Sequence, residues 1–209
     1  MPRSVFFSFH YQRDIFRVQQ VKNHHITKGS YTQAGYFDGS LEEKAETAGV
    51  NVVKKLINDG MVGSSVLCLL IGQETFLRHW CYYEVLRAIS EGMGVFGIRI
   101  HQLKIPAASA VGLLSLYAPT AGVSDTAGAN PFQYMYYQVD GLRYQPKIRY
   151  TTGWTDAPHN DDVSWLSAPP YLKTNTSLDA IFKVYDWNDD NGYLQFGNWV
   201  EAAARQAGR

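Results

Sequence analysis

The chain contains a continuous apolar run, VLCLLI, at residues 66–71, and this run constrains the fold more than any other segment. Such a run is typical of a strand buried on both faces, as at the centre of a parallel sheet. Parallel strands need crossover connections, which are usually helices packed on the faces of the sheet. We therefore expect a central parallel sheet with helices on both sides.

Strand-like and helical segments alternate through the first hundred residues. Short apolar runs predict further strands at 5–9, 35–38 and 95–100. Helical periodicity predicts helices from residue 14 to about 25, over 41–56 with Gly60 closing the helix, and over 76–91. The order βαβαβαβ, with right-handed crossovers, favours an α/β fold of the open flavodoxin-like or Rossmann-like kind, a three-layer sandwich.

The second half of the sequence is less regular. Residues 102–130 are rich in Ala, Gly and Ser and predict a long loop. Residues 134–150, with Asp140-Gly141 at the turn, predict a β-hairpin, and residues 190–206 predict a final helix. Because four of the five tryptophans follow residue 150, we expect this half to pack on the sheet. The chain is therefore interpreted as a single domain over 1–209: a βα core (1–101), a loop (102–130), and a hairpin and C-terminal helix packed on the core (131–209).

Composition argues against several functional classes. Nineteen basic side chains balance nineteen acidic ones, so the basic excess of a nucleic-acid-binding protein is missing. The apolar runs are shorter than the ~20 residues of a membrane helix, and the N-terminus is a poor signal peptide. Two cysteines make no disulfide framework, so we expect two reduced, buried thiols. Together these features predict a cytoplasmic protein that binds neither nucleic acid nor membrane.

Familiar cofactor and metal motifs are not supported. The segment 92–97 reads G-x-G-x-x-G, but it follows a helix and enters a strand, whereas a dinucleotide-binding loop follows a strand and opens a helix. The six histidines show no metal-ligand spacing. We therefore expect neither a metal nor a resident cofactor.

Ligands of open parallel sheets bind beyond the carboxyl ends of the strands, so the residues that follow each strand are the first candidates. His10 follows the first strand. Trp80 and Glu84 are four residues apart on the helix after the central strand, and hence on one helical face. A carboxylate beside an aromatic wall can stabilise a developing oxocarbenium ion. The spacing alone leaves open the alternative that Glu84 lies on a solvated helix face.

Three segments together resemble one family. They are RSVFFSFHY at 3–11, WCYYE at 80–84 and ANPFQY at 129–134, supported by VYDW at 184–187. This combination resembles the bacterial TIR-like proteins of the Thoeris anti-phage system, the ThsB family, and the similarity runs nearly end to end. The resemblance implies a flavodoxin-like TIR fold with extra C-terminal elements. It also implies an NAD+ glycohydrolase or ADP-ribosyl cyclase that senses infection and makes a cyclic ADP-ribose isomer.

The resemblance also assigns roles to individual residues and partners. Glu84 matches the catalytic glutamate of TIR enzymes. The residues expected to border the NAD+ substrate are Phe7, Ser8, His10, Asp38, Trp80 and Asn130. The implied partners are NAD+, an unspecified phage trigger and a separate effector that is reached through the diffusible nucleotide; self-association stays open.

Two other functions remain open at this point. One is a non-catalytic TIR-like interaction or scaffold module, in which Glu84 is merely exposed. The other is a different N-glycosidic enzyme, similar to nucleoside deoxyribosyltransferases. Consumption of NAD+ separates the enzyme from the interaction module, and reaction with deoxynucleosides identifies the transferase.

Overall fold

A computed structural model describes residues 3–27, 32–36, 49–105, 126–140, 143–150, 153–156, 169, 171–172 and 176–209. The strands in these ranges are β1 (Ser4–Phe9), β2 (Thr32–Tyr36), β3 (Val66–Ile71), β4 (Gly94–Arg99), β5 (Met135–Asp140), β6 (Arg143–Tyr150), β7 (Gly153–Asp156) and β8 (Val184–Asp186). The α-helices are α1 (Tyr11–Thr27), α2 (Val50–Met61), α3 (His79–Ser90) and α4 (Gly192–Gln206). Short 3₁₀ helices span Thr75–Leu77, Pro131–Tyr134 and Leu178–Ala180.

Within the described residues, the main sheet has five parallel strands in the order β2-β1-β3-β4-β8. The predicted central strand is β3, which pairs with β1 from Val66 opposite Val5 and with β4 from Val66 opposite Gly94. All six of its residues are buried, as its apolar sequence predicts. The α/β fold with a parallel sheet between two helical layers is confirmed.

Two hydrophobic clusters lie on the two faces of the main sheet. Helices α2 and α3 pack on one face and helices α1 and α4 on the other. Successive side chains of a strand point to opposite faces. Accordingly Phe6 belongs to the α2/α3 cluster, whereas Val5, Phe7 and Phe9 belong to the α1/α4 cluster. Cys68 and Cys81 are buried and unbridged, as predicted.

Several element boundaries differ from the predicted ones. β2 is found at Thr32–Tyr36 rather than 35–38, because it pairs with β1 through polar residues that give little apolar signal. Helix α2 begins at Val50, and residues 41–48 of the predicted helix lie outside the described residues. The predicted helix 76–91 is divided, since Arg78 is extended (φ −96°, ψ 108°) between a 3₁₀ turn and α3.

The C-terminal part contributes to the main sheet and also forms a smaller one. The predicted hairpin is present as β5 and β6, and β7 extends it to a three-stranded antiparallel sheet. Strand β8, which was not predicted, pairs with β4 at the edge of the main sheet. Helix α4 lies so close to β4 that a Cβ at Gly94 would be 2.5 Å from the Ala203 backbone. None of the helices in the described part of the chain is long and apolar enough to cross a membrane.

Candidate active site

The site is built at the carboxyl end of β1. Ser8 follows Phe6 on the face covered by α3, and its Oγ donates a short hydrogen bond to Oε2 of Glu84. Ser8 is fully buried and Glu84 is only 3% exposed. The structure therefore brings together two of the predicted site residues. The alternative of a solvated Glu84 is wrong, because α3 presents this side chain to the sheet.

His10 directly follows β1, two residues after Ser8. Its side chain is buried, and neither ring nitrogen has a hydrogen bond of normal length and angle. Burial above all, together with the positive charges of Arg78 and Arg13, lowers the pKa of His10 from 6.5 to about 4, and the neighbouring Gln12 opposes this shift. His10 is therefore neutral near pH 7.

The depressed pKa of His10 predicts a specific pH dependence of stability. Between about pH 4 and pH 6.5 the unfolded chain binds a proton at this histidine and the native chain does not. The part of the unfolding free energy that depends on neutral His10 is therefore complete above pH 6.5 and is lost as the pH falls towards 4. As the pH falls across this window, the unfolding free energy of the wild type should decrease by about 3 kcal/mol more than that of His10→Gln. Urea unfolding at several pH values measures the difference, and parallel curves for the two proteins would contradict the prediction.

Arg78 stands beside His10 at the beginning of α3. Its Nε is buried, and no hydrogen-bond partner for it is found within the described ranges. The N-terminus of a helix favours negative charge, and an arginine there strengthens the preference. Arg78 was not predicted as a site residue, because the helical periodicity runs through 76–91 and hides the extended residue that precedes α3. A cation just ahead of the Glu84 helix is the signal that could have revealed it.

The segment 126–130 lies against the loop that follows β3. A Cβ on Gly128 would be 2.1 Å from the Gly72 carbonyl oxygen, so the two backbones are in direct contact. Arg99 Nη1 donates to the Gly128 carbonyl at 2.6 Å. Asn130 ends this segment, and its Oδ1 accepts a hydrogen bond from the Phe132 amide at 3.1 Å. The predicted site residue Asn130 is thus held at the same sheet edge, with its side-chain oxygen engaged in capping a 3₁₀ helix.

The other predicted site residues have different positions. Trp80 is half-buried on α3 and makes an edge-to-face contact with Tyr83, with ring centroids 5.8 Å apart. Phe7 stacks on Phe196 in the α1/α4 cluster, on the face opposite Glu84. The alternation of side chains along β1 separates Phe7 from the site, so only its backbone is near Ser8. Asp38 lies outside the described residues.

A cavity of about 460 Å³ occupies the other end of the sheet. Its lining includes Ser65 and Met93, which precede β3 and β4, and Arg87 and Glu91 from the C-terminal end of α3. The cavity is therefore remote from the Ser8–Glu84 pair. In the portion of the chain that the structure describes, no group of three or more His, Cys, Asp or Glu side chains is arranged to hold a metal ion.

Comparison with known proteins identifies the family of this chain. The family model described as "Thoeris protein ThsB, TIR-like domain" matches residues 6–105, which include Ser8, His10, Arg78 and Glu84. A protein of Bacillus cereus (strain MSX-D12) is 37% identical over a match of 205 positions, which covers 96% of this chain and the full length of that protein. The chain belongs to the ThsB family. The Bacillus cereus protein carries the name "Putative cyclic ADP-D-ribose synthase ThsB1".

The family membership confirms the resemblance inferred from the sequence motifs. The family model ends at residue 105, shortly after β4, whereas the similarity to the Bacillus cereus protein continues through the C-terminal elements. The elements β5 to β8 and α4 lie beyond the residues that the family model matches, although β8 belongs to the same main sheet as β1 to β4.

Proposed function

We propose that this ThsB-family protein is a Thoeris signalling enzyme that consumes NAD+ in response to infection and releases a cyclic ADP-ribose isomer, which activates a separate effector. The observation that carries the proposal is the buried Ser8–Glu84 pair at the carboxyl edge of the parallel sheet. The name of the Bacillus cereus relative supports the cyclic product.

The chemistry of NAD+ suits a site of this kind. Nicotinamide leaves as a neutral molecule from a cationic N-glycoside, so cleavage needs little acid catalysis. The positive charge that develops on the ribose must be stabilised, and a carboxylate out of water does this strongly. Glu84 takes this role, while the Ser8 hydroxyl fixes the orientation of the carboxylate. Neither step requires a metal or another cofactor.

Arg78 and His10 supply different properties to the same site. In this proposal the guanidinium of Arg78 binds the diphosphate of NAD+, since arginine suits phosphate oxygens. His10 is neutral, so it offers hydrogen bonds to ribose without adding a second positive charge near the oxocarbenium ion. Arg78 thereby anchors the substrate, and His10 contacts the ribose at its reacting end.

The fate of the oxocarbenium ion decides the product. Water gives linear ADP-ribose, whereas a nucleophilic group of the same molecule gives a cyclic isomer. A cyclase must therefore keep water away from the reacting carbon. Trp80 and the stacked pair Phe76 and Tyr134, with centroids 6.0 Å apart, provide aromatic surface near the start of α3. We assign these rings to the wall that excludes water.

Product analysis tests the proposed function. NAD+ is incubated with purified protein and with lysate from infected cells, and the nucleotides are separated by chromatography with mass detection. We expect mainly a product lighter than ADP-ribose by one water, together with free nicotinamide. Mainly linear ADP-ribose from the first time point would contradict the cyclase but not the Glu84 mechanism. Intact NAD+ in every sample would favour an interaction module, and reaction of deoxynucleosides alone would indicate a transferase.

A further inference from the structure

Two charged residues of α1 are buried next to the site without belonging to it. Asp14 and Arg17 are one helical turn apart, and both side chains are 0% exposed. Arg17 Nη1 lies 3.7 Å from Oδ1 of Asp14. A buried ion pair is weak evidence for stability, since apolar residues of similar volume often stabilise a core as well or better. The contacts of Asp14 and Arg17 indicate a role other than stability.

Asp14 contacts the loop that leads to Glu84. Its carboxylate lies directly on Gly72, the residue after β3, where an added Cβ would be 2.1 Å from Oδ2. The Gly72 amide donates to Oγ1 of Thr75 at 2.9 Å, and Thr75 begins the 3₁₀ turn before α3. Asp14 therefore fixes the start of the segment that carries Arg78 and Glu84.

Arg17 contacts the end of another strand. Its Nε donates to the carbonyl of Leu103 at 2.8 Å, in the loop that follows β4. On the same helix, Arg13 pairs with Glu74 at 2.5 Å in the loop after β3. The Asp14 amide also donates to the carbonyl of His10 at 3.0 Å. Helix α1 thus connects the residues that follow β1, β3 and β4.

From these contacts we propose that Asp14 and Arg17 are positioning residues for the NAD+ site, which hold the loops after β1, β3 and β4 in register around Glu84. The inference rests on the function proposed above. The pair does not touch the reacting atoms. It acts through Gly72 and Leu103, and loss of the Asp14 charge or of the Arg17 bond to Leu103 lets the Glu84 segment and the His10 segment move relative to each other.

Two readouts separate positioning from stability, because neither depends on the fraction of protein that is folded. They are the KM for NAD+ and the ratio of linear to cyclic product. Asp14→Asn keeps the shape of the side chain and removes its charge. We expect its KM to rise about tenfold and the linear fraction to increase severalfold, since small displacements of reacting groups have large kinetic effects. Arg17→Lys, which keeps the charge but loses the Nε bond to Leu103, should change both values in the same direction.

Gly72 provides an independent test of the same contact. In the wild type, Gly72→Ala places a methyl group where the Asp14 carboxylate lies. In an Asp14→Ala background this space is free. We therefore expect Gly72→Ala to raise KM in the wild type and to have little further effect in Asp14→Ala, which is the non-additivity of residues in direct contact.

The matched control is Glu201→Gln. It removes the Arg3–Glu201 ion pair, 3.2 Å long, where Arg3 precedes β1 at the amino end of the sheet. Its KM and product ratio should equal those of the wild type even if its melting temperature falls. If the soluble Asp14→Asn and Arg17→Lys proteins also keep both values, the positioning role is overturned. If Asp14→Asn does not fold, the positioning role is decided by Arg17→Lys and by the comparison of Gly72→Ala in the wild-type and Asp14→Ala backgrounds.

Failure of the proposed function is recognised separately. In that case the wild type makes no product from NAD+ even in infected-cell lysate. The dissociation constant for NAD+, measured by calorimetry on the full chain, then replaces KM. A tenfold weaker binding by Arg17→Lys, with wild-type binding by Glu201→Gln, supports the positioning role. Equal binding by all three proteins, or binding by none, overturns it.

Discussion

Glu84→Gln is expected to lower the rate of nicotinamide release from NAD+ by on the order of 10³-fold, the range in which electrostatic transition-state stabilisation operates. Glutamine has nearly the volume of glutamate, and its side-chain oxygen can still accept the hydrogen bond from Ser8. The variant therefore loses the negative charge and keeps the local geometry. Release of nicotinamide is measured by chromatography under the conditions in which the wild type is active.

The same substitution should not destabilise the protein. Glu84 is buried, and an ionised carboxylate out of water is costly to maintain. Replacing it with a neutral amide that keeps the Ser8 bond is expected to leave the melting temperature unchanged or to raise it. Stabilisation that accompanies loss of activity is a common property of functional residues.

Glu91→Gln is the control for charge. Glu91 lies just after α3, its side chain is 50% exposed, and it pairs with Arg87 at the end of the helix remote from Ser8. This variant makes the same chemical change in nearly the same segment and should retain full activity. Equal activity of Glu84→Gln and the wild type would remove Glu84 from the catalytic role, whatever the product of the reaction.

The sequence was sufficient to predict the features that depend on local pattern. The apolar run at 66–71 predicted a buried strand, and the helix after it, with Trp80 and Glu84 on one face, was placed within a few residues. The burial of Glu84 did not follow, because it depends on how α3 packs against β1. The Ser8 contact bridges 76 positions of the chain, and no local pattern encodes it.

The misplaced or missed residues have physical explanations. Phe7 was assigned to the site through the family resemblance, but the alternation of side chains along β1 places its ring on the face opposite Ser8. Strand β8 has only three residues, too few for a periodic signal. Asp14 and Arg17 read as ordinary polar positions of an amphipathic helix, since their contacts with Gly72 and Leu103 involve loops whose paths the sequence pattern does not specify.

Removing residues 131–209 is the second change with a large expected effect. This deletion takes away β8, which pairs with β4, and α4, which covers β4 on the α1/α4 face. The rings of Tyr185 on β8 and Trp199 on α4 stack with centroids 4.3 Å apart, so the two elements act together. The fragment 1–130 would therefore expose Phe96 and Ile98, which are buried in the full chain.

The free energy lost with these apolar contacts decides whether the fragment 1–130 can fold. Burial of a large apolar side chain contributes about 1.5–3 kcal/mol, and α4 alone buries Phe196, Trp199 and Val200. Their combined loss is comparable to the whole net stability of a domain, about 5–15 kcal/mol. We expect the fragment 1–130 to be insoluble, or to bind a hydrophobic dye and melt without a cooperative transition in circular dichroism. Co-expression with the fragment 131–209 should restore solubility, because the missing strand and helix can dock on β4 from a separate chain. A fragment 1–130 that melts cooperatively by itself would instead establish two domains, with β8 and α4 as additions to a core that folds without them.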